Sequence, residues 1–205
     1  GSAASLDDGT IAKGLKEALT VGAERATALA SKEDGFLGND LIRIPLPKPL
    51  RKVGRALREV GMGARADELE TAMNRAAERA SGEAKDVLWT AVKGMTLEDA
   101  RGILQGGDTA ATDYFRRKTE EGLRARFRPI VTEKMAEVGV ARQYNELTAA
   151  YASIPFAPAL KDVNLDDYVT GKALDGLYAL LALEEKRIRE DPAARATDLL
   201  KKVFK

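Results

Sequence analysis

The sequence predicts an all-α protein: a single-domain multi-helix bundle of about eight to ten helices, with two proline-rich loops and at most a short strand pair. Apolar residues recur at three- and four-residue spacing along most of the chain, as they do on helices with one buried stripe. Five of the seven prolines fall in two short stretches, Pro45 to Pro49 and Pro155 to Pro158, where the helical pattern breaks. The residues before those prolines are pushed toward extended backbone. A length of 205 residues suits one sizeable core, and no internal repeat divides it.

Ile11, Leu15, Ala18, Leu19, Gly22, Ala26 and Leu29 follow the polar group Asp7, Asp8 and Thr10, which predicts a first helix to about Ser31. Glycines and prolines from Asp34 to Pro49 then forbid helix, leaving Leu41 to Ile44 as the only room for a strand. A second helix is expected from Lys48 to Val60, ended by Gly61 and Gly63, and an alanine-rich third from Ala64 to Ala80. Ser81 reads as an N-cap for a helix to Lys93, and Thr96 with Asp99 as a capping box for a short helix ending at Gly106. Asp108 is expected to cap the next helix from Thr109, with Pro129 making it two helices or one bent one. Past Gly139 the pattern predicts a helix over Ala141 to Ala152, then the second proline loop. Asn164 and Thr170 offer caps for the segment holding Ala173 to Leu183, which is apolar nearly all round and is read as the most buried. Asp191-Pro192 is expected to start a last helix through Phe204.

Gly1-Ser2 resembles the scar of a cleaved tag, so residues 1–5 are read as tag remnant or disordered N-terminus and 6–205 as one helical domain. Cysteine and histidine are both absent. That removes disulfides, thiolate catalysis and imidazole-based acid–base or metal chemistry, leaving carboxylates, lysine and tyrosine. No catalytic residue, metal site or cofactor is assigned. No stretch reaches the roughly 18 to 20 apolar residues of a membrane-spanning helix. Lys plus Arg (33) nearly balance Asp plus Glu (32), so any binding to anions must be local.

Such a local feature exists. Leu41 to Arg58 holds Arg43, Lys48, Arg51, Lys52, Arg55 and Arg58 without one acidic residue. At about 100° per residue Lys48, Arg51, Arg55 and Arg58 share one face of the second helix, opposite Leu50, Val53, Leu57 and Val60. The functional reading is an anion-binding surface for phospholipid head groups, an acidic polymer or a partner's carboxylates. The plainer reading pairs these charges with Asp or Glu of neighbouring helices. A second basic run, Arg116, Arg117, Lys118, Arg124, Arg126 and Arg128, has Tyr114, Phe115 and Phe127 interleaved. Its nucleic-acid reading is the weaker one, because the aromatics suit a core and the net charge is near zero.

The Gln105 to Thr109 turn reads as a glycine turn with an N-cap rather than a phosphate cradle. The pairs Asp166 with Asp167 and Glu184 with Glu185 read as solvent-facing charges or first-turn dipole partners. Asp175 is expected to be a partly buried carboxylate paired with an arginine. Phe36, Trp89, Met95, Tyr151 and Phe156 read as core, with a groove framed by the two proline loops as the alternative.

Several separated motifs, in order, carry a resemblance. They are Ser31 to Asn39, Ile42 to Pro47, Met73 to Glu78, Ile103 to Asp108, Ala110 to Thr112 with Tyr114-Phe115, and Asp191 to Arg195 with Thr197 to Phe204. Together they resemble the bacterial "domain of unknown function 4197" family over nearly the whole chain. The resemblance implies an exported protein whose precursor carries a signal peptide, hence a periplasmic or envelope location, and it supplies no activity. It also singles out Lys32, Asp34, Asn39, Arg43, Asn74, Arg75, Thr112, Tyr114, Arg195 and Thr197 as recurrent polar positions. Asp40 departs from the pattern, where proline is expected.

The functional expectation is therefore an envelope-located binding or scaffold protein. Its ligand-binding candidates are Arg43, Lys48, Arg51, Arg55, Arg58, Asn74, Arg75 and Tyr114. The partner is expected to be an anionic lipid, a peptide or an envelope protein. The competing class is a carboxylate-based enzyme acting on an envelope glycan, which requires two acids converging in a cleft.

Overall fold

The computed structural model describes residues 6–204, so the reading of residues 1–5 as a tag remnant or disordered segment lies outside the described residues. Within that range the chain forms α1 (Asp8–Ser31), α2 (Lys48–Glu59), α3 (Ala64–Ser81), α4 (Ala84–Gly94), α5 (Ala100–Gln105), α6 (Ala110–Glu137), α7 (Val140–Ala152), α8 (Leu165–Glu190), a single 3₁₀ turn (Pro192–Ala194) and α9 (Asp198–Val203). The predicted multi-helix bundle is what forms, and no strand occurs among the described residues.

The centre of the bundle is α8, which packs along both α1 and α6, while α3 packs against α6, α7 and α1. Its stripe of Val169, Ala173, Leu177, Leu181 and Ile188 is buried, as the all-round apolarity of this segment predicts. Gly176 permits the closest approach to α8. A Cβ there would stand 2.7 Å from the Phe36 ring edge, so the first proline loop seats its buried phenylalanine directly on the α8 backbone.

Asp7 caps α1 and Asn164 caps α8, each through its side-chain oxygen. Other expected caps are displaced. Ser81 closes α3 by donating to the Ala77 carbonyl, and α4 starts after Glu83 with no side-chain cap. Neither Thr96 nor Asp99 caps α5 with its side chain. Asp108 does not cap α6, whose N-cap is Thr109, and that helix continues through Pro129 as one element. Nor does the last helix run from Pro192 to Phe204. The chain breaks at Arg195, whose buried guanidinium donates to the Ile188 and Arg189 carbonyls at 2.7 and 2.8 Å, and α9 begins anew behind Thr197.

The segment expected to hold a strand forms a turn at Leu41 and Ile42, and the backbone of Ile44 finds its partner in a side chain. Asn74 of α3 is fully buried. Its Oδ1 accepts the Ile44 N–H at 2.9 Å, and its Nδ2 donates to the Ile44 carbonyl at 2.8 Å. One amide therefore does for Ile44 what a neighbouring strand would do, and the backbone groups are satisfied without a sheet.

Candidate functional site

Pro49 in the first turn of α2 costs no hydrogen bond, since that N–H has no intrahelical acceptor. Leu50, Val53 and Leu57 are buried against the bundle, and Gly54 lets α2 approach Ala66 of α3. Val60, expected on the buried face, lies just past the end of α2 and is 52% exposed. The opposite face carries Lys48, Arg51, Lys52, Arg55 and Arg58, all exposed.

These cations divide into two groups. Arg58 forms an ion pair with Asp67 at 2.6 Å, which holds the Asp67 carboxyl below the usual carboxylate range. Arg43, just ahead of the helix, pairs with Glu70 at 2.8 Å. Lys48, Arg51, Lys52 and Arg55 form no ion pair among the described residues. Arg51 spends one N–H on the neutral Leu46 carbonyl at 2.7 Å and so keeps its charge uncompensated. The one acid of α2 itself, Glu59, sits at its far end and forms no ion pair among the described residues. Pairing with neighbouring acids thus accounts for Arg43 and Arg58 and not for the other four.

The frame beneath this face is rigid. The Tyr168 hydroxyl of α8 donates to the Pro45 carbonyl at 2.6 Å. Burial raises the pKa of that phenol, and neighbouring Arg51 pulls it the other way. Asn74 belongs to the clamp on Ile44. Arg75 binds Glu78 at 2.8 Å and Asp34 at 2.9 Å, so both residues hold the first proline loop and neither projects onto the α2 face. Tyr114 lies elsewhere, donating to the Thr96 carbonyl at 3.0 Å with Arg117 and Lys118 near its ring. The eight candidates therefore fall into a cationic helix with its flank, a loop clamp and an isolated tyrosine.

A cleft of about 890 Å³ runs along α3 and is lined by Glu33, Asp67, Glu68, Arg75, Glu78 and Gln143 among others. Its charges neutralise one another. Each lining carboxylate has an arginine partner: Asp67 with Arg58, Glu68 with Arg65, and Glu33 and Glu78 with Arg75.

In the second basic run Phe115 and Phe127 are buried in the core, Arg116 pairs with Asp175 and Glu120, and Arg128 pairs with Asp167. Asp175 is the partly buried, arginine-paired carboxylate expected of it, at 2.5 Å from Arg116. The two proline loops do not jointly line the cleft along α3. Phe36 is fully buried, whereas Phe156 is fully exposed at 103% with φ 63, and Trp89 is 43% exposed beneath Lys93. Phe156 and Trp89 are thus corrections to the core reading.

Glu184 and Glu185 are a further correction, since both are buried. Glu185 accepts from the Ala111 and Thr112 N–H groups and from the Thr112 hydroxyl, and pairs with Arg189 at 2.8 Å. Glu78 likewise accepts from the Asp34, Phe36 and Leu37 N–H groups at 3.0 to 3.2 Å. Both sites had a visible signal. Glu185 follows Leu177 and Leu181 at four-residue spacing, and Glu78 follows Asn74 at the same spacing, so each carboxylate lies in a buried row. The exposure of Phe156 had no such signal.

Among the described residues no helix is long and apolar enough to cross a membrane. The profile of the family described as "Protein of unknown function (DUF4197)" matches residues 5–205. No curated protein and no solved structure matches the chain. The chain belongs to the DUF4197 family, as its separated motifs lead one to expect.

Proposed function

We propose that this member of the DUF4197 family is an envelope-located binding protein that recognises an anionic ligand through the solvent face of α2. One observation carries the reading: Lys48, Arg51, Lys52 and Arg55 stand exposed on two turns of helix with no acidic partner among the described residues. Like charges so close repel one another, which makes the arrangement a cost to the fold unless a ligand offsets it. Elsewhere the same chain pairs its arginines freely, as at Arg43, Arg58, Arg65, Arg75 and Arg116. Arg117, Lys118, Arg124 and Arg126 of α6 also form no ion pair among the described residues, but Asp113, Glu120 and Glu121 share that helix, whereas Lys48 to Arg58 holds no acidic residue.

The envelope location rests on the family resemblance, and fractionation of cells of the source organism tests it. Recovery of the protein in the cytosolic fraction would remove that part of the proposal. For recognition, the probe is immobilised heparin with a salt gradient. The wild-type protein is expected to be retained, and the variant K48Q/K52Q/R55Q to elute at clearly lower salt, because each lost contact reduces the salt dependence of binding. Arg51 is left in place since it braces Leu46. Equal elution of the two proteins would dispose of α2 as the anion-binding face.

A further inference from the structure

The anionic ligand can be narrowed by what lies beside α2. From Leu147 to Leu160 the chain holds no charged residue, and this stretch includes the second proline loop with Phe156 at its exposed tip. A phenylalanine that leaves its whole side chain in water forgoes the stabilisation of burial. Its left-handed backbone, φ 63, is an uncommon conformation for a bulky residue. Pro155 and Pro158 flank it, and the Ala157 N–H closes a turn onto the Ile154 carbonyl at 3.3 Å. The ring is therefore held out by a braced turn rather than by a slack one.

Both anchors of this loop border α2. Arg65 at the start of α3 pairs with Glu146 at 2.8 Å, which sets the middle of α7, the helix that leads into the loop, beside the start of α3, and α7 packs on α2. At its other end the loop enters α8 one turn before Tyr168, whose hydroxyl holds Pro45 at the foot of α2. Leu41 and Val60, on either side of α2 in the chain, are 59% and 52% exposed. The cationic helix is thus flanked in the chain by exposed apolar side chains, and the helix that packs on it leads to a third, Phe156.

We propose that the ligand is the surface of a bilayer containing anionic lipid, with the cations of α2 at the head groups and Phe156 inserted among the acyl chains as an anchor. This rests on the reading of α2 as an anion-binding face. A soluble polyanion matches the lysines and arginines and leaves Phe156 unused. An anionic membrane surface matches both, since it offers charge at the head groups and an apolar medium just beneath them.

The experiment uses the full chain with Trp89→Phe, so that Phe156→Trp supplies the one indole, mixed with phosphatidylcholine vesicles with or without phosphatidylglycerol. Circular dichroism first checks that the variant keeps its helices. Binding is expected only with phosphatidylglycerol, with a blue-shifted emission that brominated phosphatidylcholine quenches. Phe156→Ser in the unmodified chain is expected to weaken vesicle co-sedimentation about tenfold or more, the scale of keeping one aromatic side chain from apolar surroundings.

Co-sedimentation without quenching at position 156 would overturn the anchor and leave α2 as an anion-binding face. Retention on heparin without vesicle binding would overturn the bilayer and leave the same face. Failure on both heparin and vesicles would remove both readings. A dimer that Phe156→Ser dissolves, in a protein that ignores vesicles, would assign the loop to a second copy of the chain and overturn the proposal.

Discussion

The Glu185 carboxylate stands 2.7 Å from both the backbone nitrogen and the hydroxyl of Thr112, so a side chain from the C-terminal part of α8 caps the N-terminus of α6. Helix N-termini expose N–H groups that need acceptors, and here the acceptor comes from a distant part of the chain. Arg189 completes the set by pairing with Glu185 and donating to the Ile103 and Leu104 carbonyls at the end of α5. Three helices thus meet on one buried ion pair.

Removing one partner of that pair leaves a buried charge uncompensated. Glu185→Ala is expected to destabilise the fold by about 3 kcal/mol or more, the usual scale for breaking a buried pair. Glu185→Gln, which keeps an acceptor oxygen, is expected to cost less. Urea unfolding of the two variants checks this, and equal losses would mean that the acceptor oxygen retained by glutamine contributes nothing without its charge.

Glu78 does the same for the first proline loop, and its effect is expected to be local. Glu78→Gln weakens the acceptor for the Asp34, Phe36 and Leu37 N–H groups while α3 itself keeps its intrahelical bonds. Amide exchange at those three positions is expected to quicken, with protection in α6 and α8 unchanged. Uniform acceleration across the chain would show the loop and bundle opening as one unit.

The helices were legible in the sequence because each buries a stripe, and spacing alone reveals a stripe. α1, α2, α3, α7 and α8 fall within a residue or so of their expected bounds wherever those were set. What sequence spacing hides is a partner far along the chain. Asp108 has the right type and place to cap α6, yet Glu185, seventy-odd residues away, takes the α6 N–H groups. Likewise the run Leu41 to Ile44 has strand-forming residues, and Asn74 removes the need for a strand. At the candidate site, the amphipathic α2 face was readable. Which of its cations lack partners was not, because that depends on where Asp67 and Glu70 of α3 come to lie.

Gly176 offers a test of packing that propensity alone would get wrong. Alanine in a helix interior is favoured over glycine by about 1 kcal/mol, so an isolated α8 would gain from Gly176→Ala. In the bundle the new Cβ meets Phe36 at 2.7 Å and Ile42 at 3.3 Å, where overpacking costs about 1–3 kcal/mol. A net loss of stability is expected, and Phe36→Leu in the same chain is expected to recover part of it. Thermal melts of the single and double variants measure both effects.

Tyr178 sets the alkaline behaviour of the core. Its ring is buried edge-on to Phe115, and burial raises the pKa of the phenol above its ordinary value. A raised folded-state pKa gives a contribution fully present below the unfolded value of about 10 and lost as pH rises through the folded one. Stability is therefore expected to fall above about pH 10, and Tyr178→Phe to flatten that decline. Because the hydroxyl is buried without a hydrogen-bond partner, the same substitution at neutral pH is expected to be neutral or to stabilise by up to about 1 kcal/mol. Chemical denaturation of both proteins across the alkaline range checks the sign.

The free cations of α2 allow structure and recognition to be separated. Lys48, Lys52 and Arg55 touch no acid and hold no carbonyl among the described residues, so nothing in the fold depends on their charge. Replacing all three with glutamine retains helix propensity and relieves repulsion among neighbours one turn apart. The variant K48Q/K52Q/R55Q is expected to be as stable as the wild type within about 0.5 kcal/mol, or slightly more stable, while eluting from heparin at clearly lower salt. Arg58→Gln supplies the contrast, since it breaks the exposed pair with Asp67 and removes an anchor between α2 and α3. Only a small loss is expected there, as for other exposed pairs. If instead the triple variant proves clearly less stable than Arg58→Gln, the three cations serve the fold, and their lack of acidic partners gives no reason to assign them a ligand.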